Sequence, residues 1–151
     1  SKSHNMAGWR VGMIGGAADY LQTIQKVTSN VHSGMFYPVQ KAAVEALNLP
    51  DEWYDELNKI YHRRRNVVRE IFDELNCSYS TNTSGLFVWA KIPDAVKDAE
   101  ALSEEILHNA EVFITPGFIF GKKGSRYLRI SLCSKEDQLK EALLRINKNI
   151  K

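Results

Sequence analysis

The segment DEWYDELNKIYHRRRNVVREIFDEL, residues 51–75, decides the fold. Its apolar residues Trp53, Leu57, Ile60, Tyr61, Val67, Val68, Ile71, Phe72 and Leu75 recur at intervals of three and four. That is the stripe of an amphipathic helix of about seven turns. Pro50 breaks the chain before it, and Pro50 or Asp51 is placed to start the helix. On the carboxyl side the period changes. Leu86-Phe87-Val88-Trp89-Ala90 is short, apolar and aromatic, and it lies between a Ser/Thr/Asn/Gly cluster ending at Gly85 and Pro93, so it reads as a strand. A helix over about residues 99–109 follows, then a short strand Val112-Phe113-Ile114 and a loop holding Pro116, Gly117, Gly121 and Gly124. A strand from Tyr127 to Leu132 comes next. Ser134, with Asp137 three residues on, announces a last helix carrying Leu139, Ala142, Leu143 and Ile146 on one face. This alternation predicts an α/β or split β-α-β lobe after the long helix.

On the amino side, Val11 to Ile14 reads as a buried strand running into Gly15-Gly16, and Ala17 to Ser29 has helical composition. Asn30 to Pro38 reads as an irregular connection before a helix from about Val39 to Leu47. With 151 residues, 44% of them hydrophobic and 25% charged, the chain is an ordinary globular sequence with material for one filled core or two small lobes. A net charge of +2 is too small to mark a nucleic-acid or membrane partner. Cys77 and Cys133 are too few for a disulfide framework and lack zinc-site spacing, so a reduced cytoplasmic setting is expected. No apolar run is long enough to span a bilayer. The chain begins without methionine inside what reads as a motif, so it is expected to be the C-terminal portion of something longer.

Three cations carry the chemistry: Lys2, Arg10 eight residues later, and Arg129 far downstream. An amine that attacks a carbonyl, a guanidinium that grips a phosphate and a second that grips a carboxylate are what an enzyme using pyridoxal phosphate on an amino acid requires. Taken alone, Lys2 would read as a solvated surface charge, and Arg129 as a strand arginine paired with a surface carboxylate. Lys2 instead sits among small and polar residues just before an apolar strand, a place suited to a side chain projecting from a strand end into a cleft. If the chain doubles back, Arg10 supplies positive charge beside it.

Lys2 through Gly12, with Gly8-Trp9-Arg10 closing the interval, resembles the signature of class I/II aminotransferases among the fold-type I pyridoxal phosphate enzymes. Thr115-Pro116-Gly117, Phe120-Gly121 and Tyr127-Leu128-Arg129-Ile130-Ser131 resemble that family's C-terminal segment. Ser33 to Gln40 is similar to the connection such enzymes place near their dimer interface, where Tyr37 would approach the neighbouring site. The resemblance implies that Lys2 is the catalytic Schiff-base lysine, that Arg10 binds the coenzyme phosphate, and that Arg129 binds the substrate α-carboxylate. It implies pyridoxal 5′-phosphate as cofactor, an amino acid and a 2-oxo acid as substrates, transamination as the reaction and a homodimer as the whole enzyme. Residues 1–48 would be the end of the large coenzyme-binding domain, and 49–151 the interdomain helix and small α/β domain. The partners of the pyridine ring would come from upstream, so this stretch alone is expected neither to hold the coenzyme tightly nor to turn over.

Two alternatives keep the fold: a lyase or decarboxylase using the same coenzyme, and a ligand-binding domain of a transcriptional regulator. Tyr61-His62-Arg63-Arg64-Arg65 invites a nucleic-acid reading, but on a helix these residues point around the axis and are expected mostly to face solvent. His4, His32, His62 and His108 have no ligand spacing, so no metal site is expected. Gly12 to Gly16 lacks the spacing of a dinucleotide fingerprint, and Trp9 and Phe36 read as packing residues.

Overall fold

The computed structural model describes residues 2–150. Ser1 and Lys151, the outer limits of the two expected segments, lie outside the described residues. The chain divides into two compact units, Ser1–Glu56 and Leu57–Lys151.

In the first unit a 3-10 turn spans Ala7–Trp9, and helices α1 (Ala18–Val31) and α2 (Tyr37–Leu47) follow. α2 starts two residues before the expected Val39 because Pro38 is accommodated in its first turn, where no intrahelical partner for its missing N–H is needed. Val11–Ile14 is not a strand, and Met13 and Ile14 are exposed. Strand backbone needs a neighbour to take its N–H and C=O groups, and among the described residues this unit contains no other strand. The long helix α3 (Asp51–Glu74) begins where expected, with Asp51 and Glu52 in the first turn complementing its positive end.

The second unit is a two-layer α/β lobe. Its strands are β1 (Ser78–Tyr79), β2 (Phe87–Lys91), β3 (Thr115–Pro116) and β4 (Tyr127–Ser131), with α4 (Ala99–Ala110) and α5 (Glu136–Asn149) among them. The sheet order is β1-β2-β4-β3, and every neighbouring pair is antiparallel. β2 and β3 therefore run the same way with β4 between them, which makes β2-α4-β3 the expected split β-α-β unit. Val68, Ile71 and Phe72 of α3, Leu102 and Ile106 of α4, and Leu139 and Ile146 of α5 pack on Val88, Ala90 and Leu128 of the sheet. Burying each such large side chain contributes about 1.5–3 kcal/mol, so this layer holds the lobe together.

Two expectations are corrected here. Val112–Ile114 is not a strand; pairing starts at Thr115 instead. α4 closes on Glu111 in the left-handed region, and the Ile114 carbonyl accepts from Ser103 Oγ at 2.6 Å, which ties this segment back to α4 ahead of the first ladder pair. The last helix is capped from Lys135, whose N–H donates to Gln138 Oε1 at 3.2 Å, and not by the Ser134/Asp137 pair.

The arginine run is only in part a solvated face: His62 and Arg63 are exposed, whereas Arg64 is half-buried and Arg65 buried. Arg64 Nη1 donates to the Leu132 carbonyl at 2.9 Å, Arg65 Nη2 donates to the Gly85 carbonyl at 2.6 Å, and Arg63 pairs with Glu136 at 3.2 Å. Arg65 is buried, and desolvation, with Arg69 nearby, lowers its pKa from the ordinary guanidinium value. These side chains bolt α3 to the segments that enter β2 and leave β4.

Cys77 is buried and Cys133 exposed, both as free thiols. Burial pushes the Cys77 thiol up to about 11. Since the thiolate is the reacting form, alkylation of the folded chain at pH 8 is expected to modify Cys133 and spare Cys77 until denaturant is added. Peptide-resolved mass spectrometry reads this, and equal rates at the two positions would contradict the burial.

Candidate active site

The two-residue period of a strand sorts the side chains of β2 and β4 onto opposite faces of the sheet. Val88, Ala90 and Leu128 go into the core beneath the helices, which leaves Phe87, Trp89, Lys91, Tyr127 and Arg129 on the face without helices. Register then fixes the neighbours. Arg129 stands opposite Trp89 on one side and Thr115 on the other, in a strand flanked by both β2 and β3.

The Arg129 guanidinium carbon lies 4.2 Å from the centre of the Phe87 ring, 3.9 Å from that of Phe120 and 5.9 Å from that of Trp89. Trp89 meets Phe120 edge to face at 5.5 Å between ring centres. Arg129 Nε is buried and finds no hydrogen-bond partner among the described residues. Leaving such a donor unsatisfied costs about 1–3 kcal/mol, more for a charged group. The expectation of a clamp, as against a surface ion pair, therefore rests on a cation with aromatic walls and an unmet donor.

Phe120 is delivered to Arg129 by a 3-10 turn, Gly117–Phe120, with a second turn, Lys122–Gly124, folding back on it. Gly121 between them has φ +127°, a conformation that disfavours any L side chain. A Cβ on Gly117 would lie 2.5 Å from the Gly124 carbonyl oxygen, and one on Gly124 would collide with the Gly117 carbonyl. Gly124→Ala is therefore expected to destabilise the lobe by about 1–3 kcal/mol. Thermal melting checks this: an unchanged midpoint would contradict the close approach. Grooves of about 750 and 530 Å3 flank the cluster, the first lined by Tyr79, Phe87 and Lys91, the second by Phe120, Lys122 and Lys123.

Lys2 and Arg10 belong to the first unit. They sit on a run of turns closed by Asn5 N–H to the Lys2 carbonyl at 3.3 Å, Trp9 N–H to Met6 at 3.1 Å and Arg10 N–H to Ala7 at 3.4 Å. Lys2 thus projects from a turn, not from a strand end as its position suggested. Both side chains are exposed. Arg10 takes a left-handed backbone, φ 55°, and its Nη1 donates to the Ala7 carbonyl at 3.2 Å. His4, which spacing alone left among scattered histidines, has Nδ1 2.9 Å from Ser3 Oγ and Nε2 2.9 Å from the Tyr54 hydroxyl. It ties the lysine turn to the first turns of α3.

This donor set suits pyridoxal phosphate: an accessible primary amine for the aldehyde, and an exposed guanidinium that gives Nη1 to the Ala7 carbonyl and has further N–H groups for the phosphate. Among the described residues no group of three His, Cys, Asp or Glu side chains could hold a metal ion, and no helix is long and apolar enough to cross a membrane.

Known proteins resemble this chain over nearly its whole length. A family model described as aminotransferase class I and II matches residues 1–146. LL-diaminopimelate aminotransferase of Maridesulfovibrio salexigens is 41% identical over 148 residues, 98% of this chain and 38% of that protein. The enzyme of the same name from Aquifex aeolicus is 36% identical over 151 residues, 100% of this chain and 38% of its own. Among solved structures, substrate-bound BacF from Bacillus subtilis superposes with a TM-score of 0.85 at 35% identity, over 97% of this chain and 38% of that one. An aromatic aminotransferase from Pyrococcus horikoshii gives 0.87 at 28% identity, over 97% and 40%. The chain thus spans about two fifths of the length of the curated relatives it matches.

Proposed function

This chain belongs to the aminotransferase class I and II family, and on that footing we propose that it supplies the anchoring lysine and the carboxylate clamp of a pyridoxal-phosphate-dependent aminotransferase. The observation that carries the proposal is Arg129: a guanidinium walled by Phe87 and Phe120 with a buried, unmet Nε. Such a group offers a carboxylate two parallel N–H donors, the strongest neutral-pH recognition an arginine makes. Its place in the strand would orient a bound amino acid about its α-carbon, and orientation of this kind contributes several kcal/mol to a barrier.

The coenzyme, when bound, supplies an electron sink and a carrier for the amino group. Lys2 Nζ would hold it covalently and, once freed, take the proton from the donor's α-carbon. Arg10 would grip its phosphate through the N–H groups not spent on Ala7. The whole enzyme would act between an amino acid and a 2-oxo acid, as a homodimer. The relatives' names make LL-diaminopimelate the donor to test first.

The test is a half-reaction. The full-length protein, loaded with coenzyme and given a donor without an acceptor, is expected to release one equivalent of 2-oxo acid and to leave the coenzyme aminated. Release of carbon dioxide or ammonia with the coenzyme unchanged would replace the proposal with a decarboxylase or lyase.

A further inference from the structure

Arg129 binding a carboxylate does not by itself explain why three aromatic rings gather on its guanidinium. Resting on the reading above, we propose that Phe120 and Phe87 are positioning residues that fix the guanidinium of Arg129 and make the clamp selective for planar carboxylates over tetrahedral anions.

The rings of Phe120 and Phe87 lie 3.9 and 4.2 Å from the guanidinium carbon, well inside the range of a cation–π contact. Rings at that distance exclude water from the region above the carbon and leave the coplanar N–H edge as the approach for an anion. A carboxylate matches that edge with both oxygens in one plane. A phosphonate or sulfonate carries a third oxygen out of the plane, where it meets the aromatic wall and its negative π-face.

Two features show that the wall is built and not incidental. Phe120 is only half-buried, so packing of the lobe core does not account for its position. Yet the turn carrying it depends on the Gly117–Gly124 approach and on the positive φ of Gly121, three glycines spent on placing one ring. Trp89, opposite Arg129 in the register, then braces Phe120 edge to face. The core, by contrast, does not touch this ring. Phe120 is absent from the cluster of residues buried beneath the helices.

The experiment compares KM and kcat of the full-length enzyme for an amino acid and for its aminophosphonate analogue, in the native protein and in Phe120→Leu, Phe120→Tyr and Arg129→Lys. Phe120→Leu is expected to raise KM for the amino acid about tenfold, the size of a partly desolvated cation–π contact, with kcat changed far less. It is expected to narrow the preference for carboxylate over phosphonate, and Phe120→Tyr, which keeps the ring, to restore both. An unchanged KM, or equal losses for the two anions, overturns the positioning role. Arg129→Lys separates the two ideas: if it leaves KM unaltered the carboxylate clamp itself fails, whereas a large effect of Arg129→Lys beside a silent Phe120→Leu leaves the clamp standing and sinks only this inference.

Discussion

Lys2→Ala in the full-length protein is expected to lower kcat by at least about 1,000-fold, because one side chain would serve as both covalent anchor and proton carrier. The same substitution removes nothing that holds the fold: Lys2 is exposed, and the bond that closes its turn runs from the Asn5 N–H to its backbone carbonyl, which alanine keeps. Melting should therefore stay where it is while turnover collapses. Lys2→Arg should be as inactive, since a guanidinium retains its charge and stays protonated at any working pH and cannot act as the nucleophile. Retention of more than about a tenth of the native rate in either variant would remove Lys2 from the mechanism, as loss of a positioned base and nucleophile costs far more than that. Steady-state kinetics with a matched melting curve decides it.

Arg129→Lys should lower kcat/KM for amino-acid donors by roughly 100- to 1,000-fold, the value of a bidentate, charge-assisted pair in a partly buried site. Lysine keeps the charge but brings a point donor in place of a planar fork, so the deficit measures geometry and not charge. A primary amine lacking the carboxylate should react equally poorly with the native and variant enzymes. Were Arg129 only a strand residue facing solvent, the change would be near neutral, as exposed arginines are usually worth less than about 1 kcal/mol. Kinetics with a donor and its decarboxylated counterpart distinguishes the outcomes.

The helices were the most legible part of the chain. The 51–75 stripe marked α3 because its three- and four-residue spacing persists along the helix, and Val67, Val68, Ile71 and Phe72 are indeed on its buried face. Strands were legible only where the sequence carries its own partner. Phe87–Lys91 pairs with Tyr127–Ser131 inside the chain and was found, whereas Val11–Ile14 has strand composition and no ladder among the described residues. Composition reports what a segment could bury, and pairing decides whether it does.

The site divides in the same manner. Arg129 was reachable from a local motif, but its aromatic wall was not, because Phe87, Trp89 and Phe120 come from two distant segments. The alternation in 86–90 could have put Phe87 and Trp89 on one face, and Leu128 beside Arg129 could have put Arg129 on the same one. Phe120 depends on a pair of glycines meeting in space, for which no one-dimensional pattern exists. Arg64 and Arg65 misled for the opposite reason: a charge run looks solvated until its carbonyl partners, Leu132 and Gly85, are seen.

The central claim is the identity of the anchoring amine. Reduction of the coenzyme-loaded, full-length protein with borohydride, followed by digestion and mass spectrometry, is predicted to leave the coenzyme mass on the Nζ of Lys2. Its appearance on another lysine, or on none, would contradict the account.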